Sequence, residues 1–416
     1  MKKVLLISSL DIWSMGYKKG AESFWQTIKG CAERGWEVFL ITATNKKDYH
    51  EKICKKYPNI FIYQLNLEKF QKLATSIPKI GFFLKILFWK TFQISALFTA
   101  MKIAKKEKID VIYGYEIYGV PIAKFLSILW RVPVVSRFQG TSLKSFWMQK
   151  KFWKIRAWEH VIAFKIPTDL VIMTNDGTQG DKVLHYFKVA PKKIRFWING
   201  VDWEKFKRDF DEEGIKKELN ILAKYILISV SRLASRKRVD RSIRALPKII
   251  KTIPDLKFVI IGDGPERQNL EKISRDLRIN HYIRFVGAVP HREILKYLIV
   301  ADIFLSFYDW SNMGNPLIEA MTAGKCIVTL NNGDTGTIIK DKINGVLLEE
   351  SNEEGLINNI SQNIINLLKT PQLREKLGKN AKEFAKKNFW TWKERMNTEI
   401  KEIEKLLENK RKILKG

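Results

Sequence analysis

Short apolar runs recur along the chain, each closing on a turn rich in Gly, Asn or charge before a stretch with helical spacing. The runs at 3–9 (KVLLISS), 37–43 (EVFLITA), 59–65, 109–114 (IDVIYG), 133–137 (PVVSR) and 170–174 (LVIMT) predict strands, with a helix over 21–33. The pattern restarts at 225–230 and continues at 257–262 (KFVIIG), 283–286, 302–307 and 326–330 (CIVTL). Strands alternating with helices point to parallel α/β sheets. Two such series predict two Rossmann-like domains facing a central cleft. The polar stretch INGVDWEKFKRDFDEEG, near 200–220, reads as the join. We expect domains at 1–205 and 206–387, with a C-terminal helix over 388–416 packing back on the first. Residues 391–412 predict an exposed, charge-laced helix.

Length agrees with this division, because 416 residues exceed one ordinary core. Cys31, Cys54 and Cys326 are scattered without metal spacing and fit a reducing compartment. The opening MKKVLLISS runs straight into a strand pattern, so no secretory leader is expected. A cytoplasmic location follows.

Charge adds a partner question. The net charge is +30, and residues 1–200 hold 34 Lys/Arg against 14 Asp/Glu. No acidic residue occurs from Lys69 to Lys106 or from Ile117 to Trp158, and both stretches are rich in Phe, Trp and Leu. Nucleic acid, an anionic membrane or an anionic substrate would each suit such a surface. Nucleic acid has only charge in its favour and is not expected. Residues 80–104 are apolar but interrupted by Lys85 and Lys90, which predicts an interfacial amphipathic segment rather than a membrane span. A helical pair packed on its own domain is the alternative. Phe82, Phe83, Phe88, Trp89, Phe146, Trp147, Phe152 and Trp153 are the aromatics placed to insert.

The chemistry concentrates in two segments. SRLASRK (231–237) follows one predicted strand and brings Arg232 and Lys237 to its end. SNMGNPLIEA (311–320) follows another and opens a helix. Cations at a strand end, facing free N–H groups at a helix start, make a diphosphate site. Glu319, one turn into that helix, can accept from ribose hydroxyls. It lies among apolar neighbours, so its carboxylate needs a partner. Asp209 and Asp211 have metal-binding spacing but sit in a charged connector and read as solvated. The histidines offer no ligand pair on one helix face. No G-x-G-x-x-G follows the first strand, and no Walker loop is present.

With these segments in place, the chain resembles the retaining glycosyltransferases of family 4, which have the GT-B fold. The resemblance runs in order through KGAESFWQTIKGCAERGWEVFLITA (19–43), RVPVVSRFQGT, KIRFWINGVDWEKF, SRLASRKRVDRSI, VIIGDGPER, IRFVGAVP and the helix at 315–323. It implies transfer of a sugar from a nucleoside-diphosphate donor, UDP favoured and GDP second, to an acceptor hydroxyl with retention. It implies no metal and no cofactor. The leaving diphosphate itself assists the acceptor's deprotonation. The basic aromatic first half suggests a lipid-linked or cell-envelope glycan as acceptor, at the inner face of the membrane.

Residue by residue, Arg232 and Lys237 match the family's diphosphate-binding pair, and Glu319 the ribose-binding second glutamate of its E-x7-E motif. The first glutamate is absent, with Ser311 in its place, so Ser311, Asn312 or Asn315 takes over at the sugar. Gly314 and Asn315 match the helix start, Gly20 the first-domain phosphate loop, and Val289 a backbone contact to the base. Gln139 and Gly140 stand where the family has His-Gly at the acceptor or sugar. Glutamine can bond sugar hydroxyls but cannot act as a base. Gly333, Asp334 and Thr335 match a loop near the sugar or phosphate, and GDGP (262–265) reads as a structural turn. A GT-B epimerase or phosphorylase is one alternative; a nucleotide-sugar-binding pseudoenzyme is another.

Overall fold

The structure, a computed structural model, describes residues 1–10, 22–43, 47–67, 69–70, 73, 81–206 and 210–413. The chain divides into two units: Met1–Asn175 with Gln179–Ile198 and Trp392–Gly416, and Asp176–Thr178 with Asn199–Thr391.

The first unit holds a parallel sheet in the order β3-β2-β1-β4-β5-β6-β7. Its strands are β1 (Lys3–Ser8), β2 (Glu37–Thr42), β3 (Ile60–Gln64), β4 (Val111–Tyr115), β5 (Val134–Phe138), β6 (Leu170–Thr174) and β7 (Ile194–Trp197). Alternate residues serve opposite faces. Val4, Leu6, Val38, Leu40, Val111 and Tyr113 pack with the Glu22–Glu33 and Trp392–Ile413 helices. Leu5, Ile7, Phe39, Ile41 and Ile112 pack with Gly81–Ala104 and Glu116–Trp130. Both faces are covered, which is why these strands are near-continuous apolar runs.

Two helices differ from expectation. Trp392–Ile413 is not a solvated charged rod: Met396, Ile400, Ile403 and Leu407 are buried, and so are Arg395 and Glu399. The Gly81–Ala104 helix is not amphipathic. Phe88, Phe92, Ala96, Ala100 and Ile103 pack inward, while Phe83, Leu87, Ile94, Phe98 and Met101 face solvent. It is apolar on both sides, and by length and composition it is long enough to cross a membrane.

The second unit orders its parallel sheet β10-β9-β8-β11-β12-β13. The strands are β8 (Tyr225–Val230), β9 (Leu256–Ile261), β10 (Ile283–Gly287), β11 (Ile303–Ser306), β12 (Cys326–Leu330) and β13 (Val346–Leu348). The Val239–Thr252 and Glu353–Lys369 helices pack on each other and cover a core built on Leu227, Phe258, Ile260, Leu305 and Val328. Strand order reverses between β8 and β11. Loops leaving the carboxyl ends of two such strands diverge and leave a crevice, the usual ligand position of open α/β sheets.

Candidate functional site

The loop after β8 carries the cations. Leu233 is buried and anchors it. The GDGP turn supports it from behind: Gly262 has φ +127°, and a Cβ there would stand 1.8 Å from the Ser231 carbonyl oxygen. Any other residue would push the loop out of place. A 3₁₀ turn, Ser235–Lys237, then leads into the Val239–Thr252 helix.

These cations fall into two groups. Arg238 pairs with Asp240 at 3.0 Å and with Glu353 at 2.5 Å. Arg241 pairs with Asp309 at 3.2 Å and with Glu353 at 3.0 Å. Among the described residues Arg232, Arg236 and Lys237 have no carboxylate within ion-pair distance. The Arg236 guanidinium lies 5.1 Å from the Trp310 ring centre, and the Lys237 ammonium 3.6 Å from that of Tyr308. Burial, with Arg236 adding to it, pushes the Lys237 pKa down to about 7 against the opposing pull of Asp176. Burial and the neighbouring Arg232 lower that of Arg236. Cations held close together without a carboxylate among the described residues are poised for an anion.

The loop after β11 faces them from the neighbouring strand. Asn312 is buried and committed within the protein. Its Oδ1 accepts from Tyr308 N at 2.9 Å, and its Nδ2 donates to Leu330 O at 3.2 Å and Asn332 Oδ1 at 2.9 Å. Ser311 Oγ donates to Asp176 O at 2.9 Å and accepts from Met313 N at 3.1 Å. Both side chains hold loops together rather than stand open. Thr335 is buried beneath and accepts from Asn312 N at 3.0 Å, and Asp334 N donates to Gly177 O at 3.0 Å.

Gly314 caps the Asn315–Thr322 helix without a side-chain cap, and Pro316 stands in its first turn. Asn315 Oδ1 accepts from Asn199 Nδ2 at 3.0 Å. Glu319 has the partner its apolar surroundings required: His291 Nε2 lies 2.6 Å from its Oε1. His291 opens the His291–Val300 helix, two residues beyond Val289 at the carboxyl end of β10. His291 and Arg236 were not singled out from the sequence. The first lacks any spacing signal; the second was one of several cations in a row.

In the first unit, Gln139 follows β5. Its Nε2 donates to the Tyr115 hydroxyl at 3.1 Å, and its backbone N donates to Glu116 Oε1 at 2.6 Å. Gly140 has φ +109°, which favours glycine. Beneath lies a buried cluster. Arg395 Nη1 donates to Glu399 Oε2 at 2.7 Å, and the Tyr113 hydroxyl donates to Glu399 Oε1. Arg137 is buried beside them, and among the described residues its Nε and Nη1 have no hydrogen-bond partner. Gly20 and Asp209 lie outside the described residues. Asp211 caps the Glu212–Glu218 helix by accepting from Gly214 N at 2.9 Å.

The second unit thus joins unpaired cations at a strand end, an uncapped helix start and a His-supported carboxylate around one switch point. Such a set can hold a diphosphate and a hydroxyl-bearing group attached to it.

Known proteins give this geometry a context. Residues 20–205 match the model of Glycosyltransferase Family 4, and residues 211–384 match that of Glycosyl transferases group 1. The chain is 24% identical over 369 residues to N-acetyl-alpha-D-glucosaminyl L-malate synthase of Bacillus anthracis, covering 87% of each. It is 23% identical to alpha-monoglucosyldiacylglycerol synthase of Acholeplasma laidlawii, over 87% of this chain and 88% of that one. In fold it is similar to the Anabaena protein HepE, crystallised with UDP-glucose, at a TM-score of 0.72 and 15% identity over 97% of this chain and all of that one.

Proposed function

Since the chain belongs to the family 4, group 1 glycosyltransferases, we propose that it moves a sugar from a nucleoside-diphosphate donor, UDP first and GDP second, to a lipid-linked or envelope-glycan hydroxyl, with retention. One observation carries this: among the described residues Arg232, Arg236 and Lys237 have no ion-pair partner, while Arg238 and Arg241 beside them are engaged by carboxylates. Negative charge grows on the leaving diphosphate as the glycosidic bond breaks. Fixed cations and the helix start stabilise it without a metal. Glu319 receives the ribose hydroxyls and Val289 the base. Gly314 and Asn315 face the phosphates. Gln139 and Gly140 serve the acceptor or sugar. Ser311 and Asn312 hold the loops that position these groups.

A thermal-shift screen against nucleoside diphosphates and their sugar conjugates tests the reading. Ligand at a hundred times its Kd should stabilise by about 2.7 kcal/mol. Failure of every nucleotide to shift the melting temperature would overturn it. Turnover should persist in EDTA.

Glu319→Gln should weaken nucleotide binding. A carboxylate makes charge-assisted bonds to hydroxyls worth about 1.5–3 kcal/mol each, and the amide keeps only part. Calorimetric titration with the preferred nucleotide measures this, and unchanged affinity removes Glu319 from the ribose site.

The acceptor assignment draws support from the Acholeplasma relative, whose product is a glycolipid by name. It also draws on the outward face of the Gly81–Ala104 helix. That helix packs on Glu116–Trp130, where Phe125, Ile128 and Leu129 are exposed too. Phe82, Phe83 and Phe152 are exposed, as expected for inserting aromatics. Phe88 is not available, because it is buried in the core, and Trp89 packs against Trp158 at 5.6 Å. The Phe146 side chain lies outside the described residues. We read this face as lying in the membrane interface, with nearby lysines toward anionic headgroups, each contributing about 1 kcal/mol. The protein should sediment with anionic vesicles and release only partly at high salt. Phe83→Glu with Phe98→Glu should abolish this. Equal sedimentation with neutral vesicles would refute the electrostatic part, and binding unaffected by both substitutions would refute the face.

A further inference from the structure

Asp176 follows β6, yet residues 176–178 belong to the second unit. Their backbone is held there on several sides. Ser311 Oγ donates to Asp176 O, and Asp334 N donates to Gly177 O. Gly177 passes so close that a Cβ would lie 2.1 Å from Ser311 Oγ, and a Cβ on Gly333 would lie 2.2 Å from Gly177 O. The segment is therefore wedged between the loop after β11 and the loop after β12.

This wedge presents a carboxylate. Asp176 Oδ1 accepts from Thr178 N at 3.1 Å and from Thr178 Oγ1 at 2.6 Å. Oδ2 accepts no hydrogen bond among the described residues. The group lies within the electrostatic reach of Lys237 and Arg236, the unpaired cations of the site. Burial raises its pKa to about 6 despite Thr178 and Lys237.

A carboxylate cannot bond a phosphate oxygen, since both only accept. Beside cations that await a diphosphate, it needs a neutral donor on the same ligand. A sugar joined to that diphosphate supplies hydroxyls at this place. Ser311 is committed to the loops instead: its hydroxyl donates to Asp176 O and accepts from Met313 N.

We propose that Asp176, through its free oxygen, accepts a hydroxyl of the transferred sugar and so sets which sugar the protein uses. This deepens the donor-site reading and rests on it. The test compares affinities of the wild type, Asp176→Asn and Asp176→Ala for UDP, GDP and their glucose, galactose, N-acetylglucosamine and mannose conjugates. Asp176→Ala should weaken the preferred conjugate roughly 10- to 100-fold, the range of a lost charge-assisted hydrogen bond. It should weaken the free diphosphate far less, because that ligand carries no sugar hydroxyl for Asp176 to accept. Preference among the conjugates should narrow. Equal weakening of conjugate and free diphosphate would overturn the proposal, as would no change in either. Should Asp176→Ala fold poorly, the near-isosteric Asp176→Asn decides by the same ratio. If the wild type binds no nucleoside diphosphate, the donor-site reading itself falls. If it binds them and the ratio does not move, only the role of Asp176 falls.

Discussion

Lys237→Ala is expected to cut turnover by roughly 10²-fold or more, the typical loss when one stabiliser of transition-state charge is removed. The fold should survive, because among the described residues Lys237 forms no ion pair, and its ammonium lies over the Tyr308 ring. The pH dependence makes the test sharper. Its ammonium loses a proton as pH rises through about 7. If the cation is required, kcat/KM for the donor falls above that pH. Bound diphosphate adds negative charge and raises the lysine's pKa, so kcat at saturating donor falls later. Lys237→Arg keeps its charge throughout and should flatten the alkaline fall, whatever its absolute rate. Near wild-type turnover in Lys237→Ala, or an alkaline fall unchanged in Lys237→Arg, removes the residue from the clamp.

Glu399→Ala is expected to cost about 3–5 kcal/mol of stability, as when one partner is taken from a buried ion pair. Burial would raise its pKa, but Arg395 and Arg137, with the Tyr113 hydroxyl, hold it below the ordinary carboxylate range. The stabilisation is thus present above that range and lost as pH falls through the depressed value. Removing the carboxylate leaves two buried guanidinium groups facing each other without a counter-charge. Thermal unfolding measures the loss, which for a unit of this size lowers Tm by about 10 °C. Replacing Arg395 and Glu399 together by leucine should do less damage than replacing Glu399 alone. A Tm of Glu399→Ala within about 2 °C of wild type would show that the cluster contributes little.

Much of the fold was legible because strands buried on both faces leave unbroken apolar runs. The strands that escaped are β7, whose residues are only half-buried, and β13, with three residues. The C-terminal helix was misread because Arg395 and Glu399 stand four apart, as surface ion pairs do. Only their partners Arg137 and Tyr113, more than 250 positions earlier, reveal the pair as buried. In the proposed donor site, Arg232, Lys237 and Glu319 were legible from their places at a strand end and a helix start. His291, Arg236 and Asp176 were not, because each acquires meaning from a neighbour remote in sequence. Ser311 read as a substitute for the missing acid, whereas its hydroxyl bonds Asp176 O and Met313 N.

The first unit's core is completed by Ile400, Ile403 and Leu407 from the last helix of the chain. On the ribosome, the N-terminal sheet emerges long before these residues and waits with part of one face uncovered until they follow. At ordinary elongation rates of about 5–20 residues per second, some 200 residues of delay amount to roughly 10–40 seconds. The second unit has its own strands and helices in hand during that interval. The first unit is thus completed only after the second has been made, and a stop before the Trp392–Ile413 helix would leave part of its sheet open to chaperones and proteases.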